Sequence, residues 1–345
     1  MIDNYNKVVL FGLNASKKLS QEVCEQLNSL IQNTTGKKET IINLQNPKIT
    51  KFADGEIGVE FSTSVRGKDV YVIQSTSPPV NENLMELLIF IDALKRASAN
   101  KIHIIIPYFG YARQDRKAKG RQPITAKLIS NMLVTAGANR IVLLDIHSSQ
   151  IQGFFDIPVD DLKSSHDFAQ YFLKSNIKNN LVVVSPDHGG VKRARHLTHY
   201  LPAELAVIVK KRPSPNVSEI EFVLGEVKGK DCIIIDDMID TAGTIINAAK
   251  ALKNSGANKI YIAATHSVFS NGATKKLEQL VKDKIVNKVI VTNSIELSKE
   301  KRFSGLEVIS IARFLARIIL TSINCQSLSQ IYLQRTAELL ELQKK

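Results

Sequence analysis

The chain has no tryptophan and only three cysteines, Cys24, Cys232 and Cys325, among 345 residues. These stand far apart, and no pair has the spacing of a metal knuckle or a redox dithiol. Cys232 also falls in an apolar run that reads as a buried strand. Reduced thiols of a cytoplasmic protein are the simple reading. No apolar stretch approaches the ~20 residues needed to cross a bilayer. The opening MIDNYNKVVLFG lacks a basic segment followed by an apolar one, so it does not read as a signal peptide. A nucleotide-hydrolase loop of the form G-x-x-x-x-G-K-[ST] is missing; Gly36-Lys37-Lys38 comes nearest and lacks the spacing. So are aromatic-rich RNA motifs, zinc fingers and long basic tracts. The net charge of +13, from 46 Lys and Arg against 33 Asp and Glu, favours anionic partners. Its basic residues cluster in short segments such as 113–121 and 210–212. That suits small polyphosphates at defined sites better than nucleic acid.

What the sequence has is repetition. SANKIHIIIP (98–107), GANRIVLLD (137–145) and GANKIYIAA (256–264) share one pattern. Each ends a helical segment with a small residue, Ala-Asn and a base, then launches an apolar strand. Helical spacing precedes each: Leu84, Leu87, Leu88, Ile91 and Leu94; then Ile124, Leu128, Ile129, Met132 and Leu133; then Ile245, Ala249 and Leu252. Further apolar strands are predicted at 70–73, 181–184 and 205–209. Strands apolar throughout, alternating with amphipathic helices, predict an α/β fold of mainly parallel sheets flanked by helices. Residues 69–109 and 231–269 follow the same order of elements, which predicts two copies of one domain, over 1–162 and 163–345. The stretch 321–345 is polar and helix-prone.

The richest segment is CIIIDDMIDTAGTII (232–246). A strand is expected to end at Asp236 and Asp237, and a helix to begin near Thr244. Backbone N–H groups of Thr241, Ala242, Gly243 and Thr244 at that helix start form a phosphate cradle. The carboxylates would repel a phosphate; they suit sugar hydroxyls or a metal beside it. Phosphate donors at one end of a loop and hydroxyl acceptors at the other read a phosphorylated sugar. The first copy has QSTSPPVNEN at the corresponding place and cannot make this cradle.

Other loops concentrate reactive groups. Phe52-Ala53-Asp54-Gly55-Glu56 puts two acids around a glycine beside an aromatic ring; it suits an adenine and ribose, or is a solvated turn. YFGYARQD (108–115) follows a strand end, where ligands sit in open α/β folds. There Arg113 suits a phosphate or a base, and Gln114 a base edge. DIHSSQIQGFF (145–155) sets His147 at another strand end, as a metal ligand, a phosphate partner or a structural residue. In SPDHGGVKRAR (185–195), Asp187 suits magnesium or sugar hydroxyls, whereas Lys192, Arg193 and Arg195 read as a solvated helix face. Finally VKKRPSPN (209–216) is predicted to end a strand in cations, followed by a proline-spaced loop continuing neither helix nor strand. It reads as a mobile lid or as a charged turn.

Together FADGEIGVE, PYFGYARQDRK, DIHSSQIQGFFDIPVD, VVSPDHGGVKRAR, KKRPSPN and DDMIDTAGT resemble, in order, the motifs of the ribose-phosphate diphosphokinases, or PRPP synthetases, of the phosphate- and ADP-regulated class. The resemblance runs over roughly residues 7–333. It implies two tandem phosphoribosyltransferase-type domains and transfer of a diphosphoryl group from ATP to ribose 5-phosphate, in nucleotide biosynthesis. By the same resemblance Phe52, Asp54, Gly55, Glu56, Arg113 and Gln114 bind ATP, the 52–56 elements coming from a neighbouring subunit. Arg212, Asp236, Asp240, Thr241, Ala242, Gly243 and Thr244 bind ribose 5-phosphate. His147 and Asp187 hold Mg2+, and Lys210 and Arg212 act in catalysis. Arg66, Arg121, Ser327 and Ser329 match a regulatory site for phosphate and ADP, and the family implies a homohexamer. The chain departs from the pattern at Gln122, Val209, Lys211 and Ser214. A PRPP-consuming phosphoribosyltransferase would share the cradle but would not need the adenine elements. A non-catalytic regulatory relative would keep the fold.

Overall fold

A computed structural model describes residues 3–36, 41–175, 177, 180–214 and 217–344; the side chains of 3, 4, 210–214 and 217–221 lie outside that description. The helices are α1 (Asp3–Asn6), α2 (Lys17–Thr35), α3 (Val80–Arg96), α4 (Thr125–Ala136), α5 (Ser165–Lys174), α6 (Val191–Thr198), α7 (Gly243–Asn254), α8 (Ala273–Lys282), α9 (Ala312–Ile323) and α10 (Leu328–Gln343). The early strands are β1 (Val8–Gly12), β2 (Leu44–Gln45), β3 (Lys48–Lys51), β4 (Ile57–Glu60), β5 (Asp69–Ile73), β6 (Lys101–Ile106), β7 (Arg140–Leu144) and β8 (Val159–Leu162). The later ones are β9 (Leu181–Ser185), β10 (Ala203–Ser214), β11 (Val217–Leu224), β12 (Asp231–Ile239), β13 (Ile260–Ser267), β14 (Lys288–Thr292) and β15 (Leu306–Ile309).

The chain forms two compact units. One takes Met1–Lys163, Ser294–Glu296 and Ser310–Ile331; the other takes Ser164–Asn293, Leu297–Ile309 and Tyr332–Lys345. Residues 310–331, grouped with the second domain from sequence, thus belong to the first unit. The reason is α9: its Tyr71-facing side offers Ser322 to the Tyr71 hydroxyl at 2.9 Å, and its apolar residues stay buried.

The first unit is a parallel sheet in the order β2-β1-β5-β6-β7-β8. Alternate residues Val70, Val72, Ile102, Ile104, Ile141 and Leu143 pack on α3 and α4 through Leu87, Phe90, Ile91, Ile129 and Leu133. Phe11, Phe61 and Phe90 meet edge to face within this layer, centroids 5.0–5.6 Å apart. A separate antiparallel ribbon, β3 with β4, carries residues 52–56 at its turn.

The second unit has the order β11-β10-β9-β12-β13-β14-β15, parallel except for β11. Val182, Val184, Ile234, Ile262 and Val291 pack with α7 and α8 on one face. Val183, Ile233, Ile235, Ala263 and Ile290 pack with α5 and α6 on the other. A strand buried on both sides has no polar side to show, which is why these segments read as unbroken apolar runs. None of the helices among the described residues is long and apolar enough to cross a membrane.

The sequence repeat has a structural cause. Ser98 and Gly256, with φ of 64° and 83°, turn the chain out of a helix in the left-handed region. The following asparagines then make the same pair of bonds. Asn100 gives its N–H to Lys68 O and its amide to Asp69 Oδ1, at 2.8 and 2.7 Å. Asn258 does so to Lys230 O and Asp231 Oδ1, at 2.9 and 2.8 Å. Asn139 makes a different pair, with the backbone of Ile102, and Asn287 repeats that with Ile260.

Within the second unit His166 is buried, 1% exposed, between Tyr200 and Tyr332, with Nε2 beside Thr336 Oγ1 at 3.1 Å. Burial first, then Arg335 and His196, push its pKa down to about 3. Below the ordinary value near 6.5 the unfolded chain takes up a proton that the fold refuses. Stability is therefore complete above about pH 6.5 and falls as the pH drops toward about 3. Between pH 7 and 5 this loss amounts to about 2 kcal/mol. The urea midpoint of the His166→Phe variant should fall less over that interval than that of the unsubstituted chain.

Candidate functional site

In the second unit the strand order places the C-terminal ends of β9 and β12 side by side. The acids Asp236 and Asp237 do not follow β12, as expected from sequence, but lie inside it; the strand continues to Ile239, paired with β13. Arg193 on α6 bridges them. Its Nη1 is 2.9 Å from Asp236 Oδ1 and its Nη2 is 3.2 Å from Asp237 Oδ1. The Arg193 side chain is 22% exposed, so it is no solvated helix face. Burial and the adjacent Asp237 carboxylate push the pKa of Asp236 up, to about 8, against the pull of Arg193. Asp236 Oδ1 also accepts the N–H of Asp237 at 2.9 Å.

Beyond Ile239 the chain turns through Asp240, Thr241 and Ala242 into α7. Ala242 is buried and left-handed, φ 65°, and no side chain caps the helix start. Thr241, Gly243 and Thr244 are exposed. A Cβ placed on Gly243 would meet nothing within 4 Å, so the approach to the first-turn N–H groups is open. The other side of the turn is fixed: Phe269 N–H bonds Ile239 O and Ser270 N–H bonds Asp240 O, both at 3.0 Å. Asp187 stands half-buried after β9, its Oδ1 accepting Gly190 N–H at 3.1 Å. Gly190 has to be small, since a Cβ there would come 2.7 Å from Ser185 Oγ.

The first copy is closed at the corresponding place. Gln74, fully buried where the second copy has Asp236, accepts the Ala15 N–H at 3.0 Å and donates to Glu86 Oε1 at 3.0 Å. Pro78 and Pro79 bring no N–H to the start of α3. The acid pair and the open helix start are both gone, as expected.

The other candidates of the first unit sit on loops. Phe52 is 57% exposed at the ribbon tip, whose turn is tied by Phe52 N–H to Glu56 O and Glu56 N–H to Asp54 Oδ1, at 2.8 and 3.1 Å. Gly55 supplies the positive φ that this turn needs, 96°. After β6, Tyr108, Phe109 and Ala112 are buried and hold the loop, leaving Arg113 and Gln114 exposed. Gln114 Oε1 accepts from the Thr125 hydroxyl. His147 is exposed after β7. Arg66, Arg121, Ser327 and Ser329 are exposed in the same unit, and Ser327 Oγ accepts the Ser329 N–H at 3.3 Å.

The side chains of Lys210 and Arg212 lie outside the described residues. Their backbone corrects one expectation: β10 does not end at Val209 but runs to Ser214 as half of an antiparallel ribbon with β11. Register shifts fall between Val209 and Lys210 and between Lys211 and Ser214. Irregular pairing next to a sheet edge is where a proline, here Pro213, is tolerated.

Residues 8–137 match the model of the N-terminal domain of ribose phosphate pyrophosphokinase, and 209–333 match that of the phosphoribosyl synthetase-associated domain. Ribose-phosphate pyrophosphokinase 1 of Listeria innocua is 50% identical over 326 residues, 94% of this chain and 97% of the relative. The ribose-phosphate pyrophosphokinase of Bacillus caldolyticus is 49% identical over 96% of this chain and its own full length. The crystal structure of phosphoribosylpyrophosphate synthetase from Mycobacterium smegmatis superposes with a TM-score of 0.82 at 41% identity, covering 92% of this chain and 99% of that one. The chain belongs to the ribose-phosphate pyrophosphokinase family.

Membership gives the two units their type: phosphoribosyltransferase-like domains, a parallel sheet flanked by helices in each. Sequence reasoning missed one member of this site, Arg193. The signal was present in the paired glycines at 189 and 190, which start a helix directly over a strand end and so aim its first turn at the neighbouring strand end.

The left-handed turn at Ala242 generates a prediction. A β-branched residue at φ 65° costs about 1–2 kcal/mol and drives the loop out of that region, whereas glycine does not. Ala242→Val should lower the stability measured by urea unfolding by about 1–2 kcal/mol, and Ala242→Gly should lower it by less.

Proposed function

We propose that the chain transfers the diphosphoryl group of ATP to the C1 hydroxyl of ribose 5-phosphate, giving PRPP and AMP. The observation that carries this reading is full-length kinship, 49–50% identity over 94–96% of the chain, with relatives named ribose-phosphate pyrophosphokinase. The loop after β12 supports it chemically. In this reading the N–H groups of Thr241, Ala242, Gly243 and Thr244 hold the 5-phosphate. Asp236 and Asp240 accept from the ribose hydroxyls. Arg212 adds a cation. Phe52, Asp54, Gly55 and Glu56, from a neighbouring subunit, together with Arg113 and Gln114, take ATP.

Attack of a sugar hydroxyl on the β-phosphorus asks little covalent help of a protein. It needs in-line alignment and neutralised charge. Holding both reactants in place can lower the barrier by up to ~7–11 kcal/mol. Lys210 and Arg212, on the β10–β11 ribbon, neutralise the charge that develops on the transferred group and on the AMP oxygen. Asp236, its pKa held up near the working pH, is suited to receive the hydroxyl proton.

A divalent cation belongs to the chemistry of polyphosphate transfer, and we assign it as Mg2+. Such an ion keeps waters and takes only one or two protein ligands besides the phosphates. His147, an exposed imidazole of the first unit, and Asp187, a half-buried carboxylate of the second, would each serve as such a ligand at a magnesium site. When bound it supplies charge neutralisation to the phosphates. Phosphate and ADP act as effectors through Arg66, Arg121, Ser327 and Ser329, in a cytoplasmic homohexamer.

Purified chain incubated with ATP, Mg2+ and ribose 5-phosphate should yield PRPP and AMP in equal amounts by mass spectrometry. Formation of ADP in place of AMP, or no product, would reject the reading. Lys210→Ala should lower turnover at least ~10²-fold, the size expected when a donor to the transition state is removed.

A further inference from the structure

Two like charges on adjacent residues of one strand repel, and both carboxylates are largely withdrawn from water: the side chains of Asp236 and Asp237 are 20% and 5% exposed. The guanidinium of Arg193 contacts Oδ1 of both, at 2.9 and 3.2 Å. Asp236 Oδ1 takes a second donor, the N–H of Asp237. The side chains of Asp236 and Asp237 also bond to each other. Arginine, backbone N–H and the neighbouring acid together set the direction in which the Asp236 carboxyl points. The planar fork of arginine is what allows a single side chain to hold both acids at once.

Arg193 reaches them from the first turn of α6, directly after the Gly189-Gly190 corner. That corner is anchored through Asp187, whose Oδ1 accepts the Gly190 N–H. The orientation of the acids therefore depends on a helix start that lies on the same sheet edge as the phosphate loop.

We propose that Arg193 is a positioning residue for the sugar: by gripping Oδ1 of Asp236 and of Asp237 it fixes the acid pair in the orientation that meets a ribose hydroxyl. This rests on the reading that Asp236 receives the sugar. It assigns to Arg193 no contact with the reacting atoms.

The test compares Arg193→Gln, Arg193→Lys and the unsubstituted chain. Three quantities are measured: calorimetric binding of ribose 5-phosphate alone, KM for each substrate with kcat, and the thermal midpoint. Arg193→Gln should weaken ribose 5-phosphate binding at least about tenfold, the loss of a charge-assisted contact. KM for ATP should move less than about threefold. Arg193→Lys should recover part of the affinity, because one ammonium can still meet one carboxylate. The lysine variant also covers the case in which Arg193→Gln does not fold. Its ribose 5-phosphate affinity should fall while ATP is unaffected. Unchanged ribose 5-phosphate affinity in a folded variant, or parallel loss for both substrates along with the midpoint, overturns the proposal and leaves Arg193 a purely structural tie. If the unsubstituted chain binds ribose 5-phosphate but makes no PRPP, the proposed activity falls while the Arg193 comparison stands on binding alone. If it binds none, both fall.

Discussion

The site depends on holding two carboxyl groups next to each other at the buried end of a parallel strand. Asp236 and Asp237 sit inside β12, where burial and mutual repulsion both disfavour their ionised forms. Left alone, such a pair would take up a proton and lose half its capacity to accept hydroxyl donors. The Arg193 guanidinium opposes this from a different element, at 2.9 and 3.2 Å, without reversing it. Breaking a buried ionic arrangement by removing one partner is strongly destabilising. The acid pair, α6 and the glycine corner at 189–190 therefore form one interdependent set.

The two units show what happens when the same scaffold is kept with and without that set. Asn100 and Asn258 make the same two bonds at the start of the corresponding strands, so the copies align residue for residue. At the far ends the chemistry parts. Gln74 in the first unit is neutral and its amide is absorbed in bonds to Ala15 and Glu86. Asp236 in the second is a titratable acid, paired with Arg193 and with the neighbouring Asp237. A neutral amide can be sealed into a fold at little cost, because its donors and acceptor find local partners. A carboxylate pair cannot be sealed without a cation, and a half-open edge is the consequence.

Much of this was legible in the sequence. Unbroken apolar runs gave the parallel sheets, because strands covered on both faces carry no alternation. The turn before α7 was legible because a small, glycine-containing turn before a helix has a defined backbone geometry. Three features were not. β12 continues through Asp236 and Asp237, since strand length follows pairing with β13 rather than side-chain polarity. β10 runs on past Val209, where Pro213 argued for a loop, because an edge ribbon tolerates irregular register. Arg193 read as solvated surface. Its burial comes from the neighbouring β12, some forty residues on in the chain, and within residues 185–195 only the glycine pair at 189–190 hints at it.

Part of the backbone strain lies just past strand ends to which chemistry is assigned. Tyr111, Asp145, Ala242 and Phe269 all have positive φ, between 41° and 65°, and each follows the C-terminal end of a sheet strand. Each such conformation costs about 1–2 kcal/mol in an L-residue and persists only where its surroundings impose it. Phe269 shows how. Its ring is buried beside Phe303, with centroids 6.3 Å apart, and its N–H bonds Ile239 O, while the next N–H bonds Asp240 O. A bulky aromatic in the left-handed region is thus held by its own burial, and the two bonds fix the backbone at the start of the loop between β12 and α7. Loops that must align two substrates need this kind of over-determination. A transition state reached by positioning alone gains nothing from a loop free to relax.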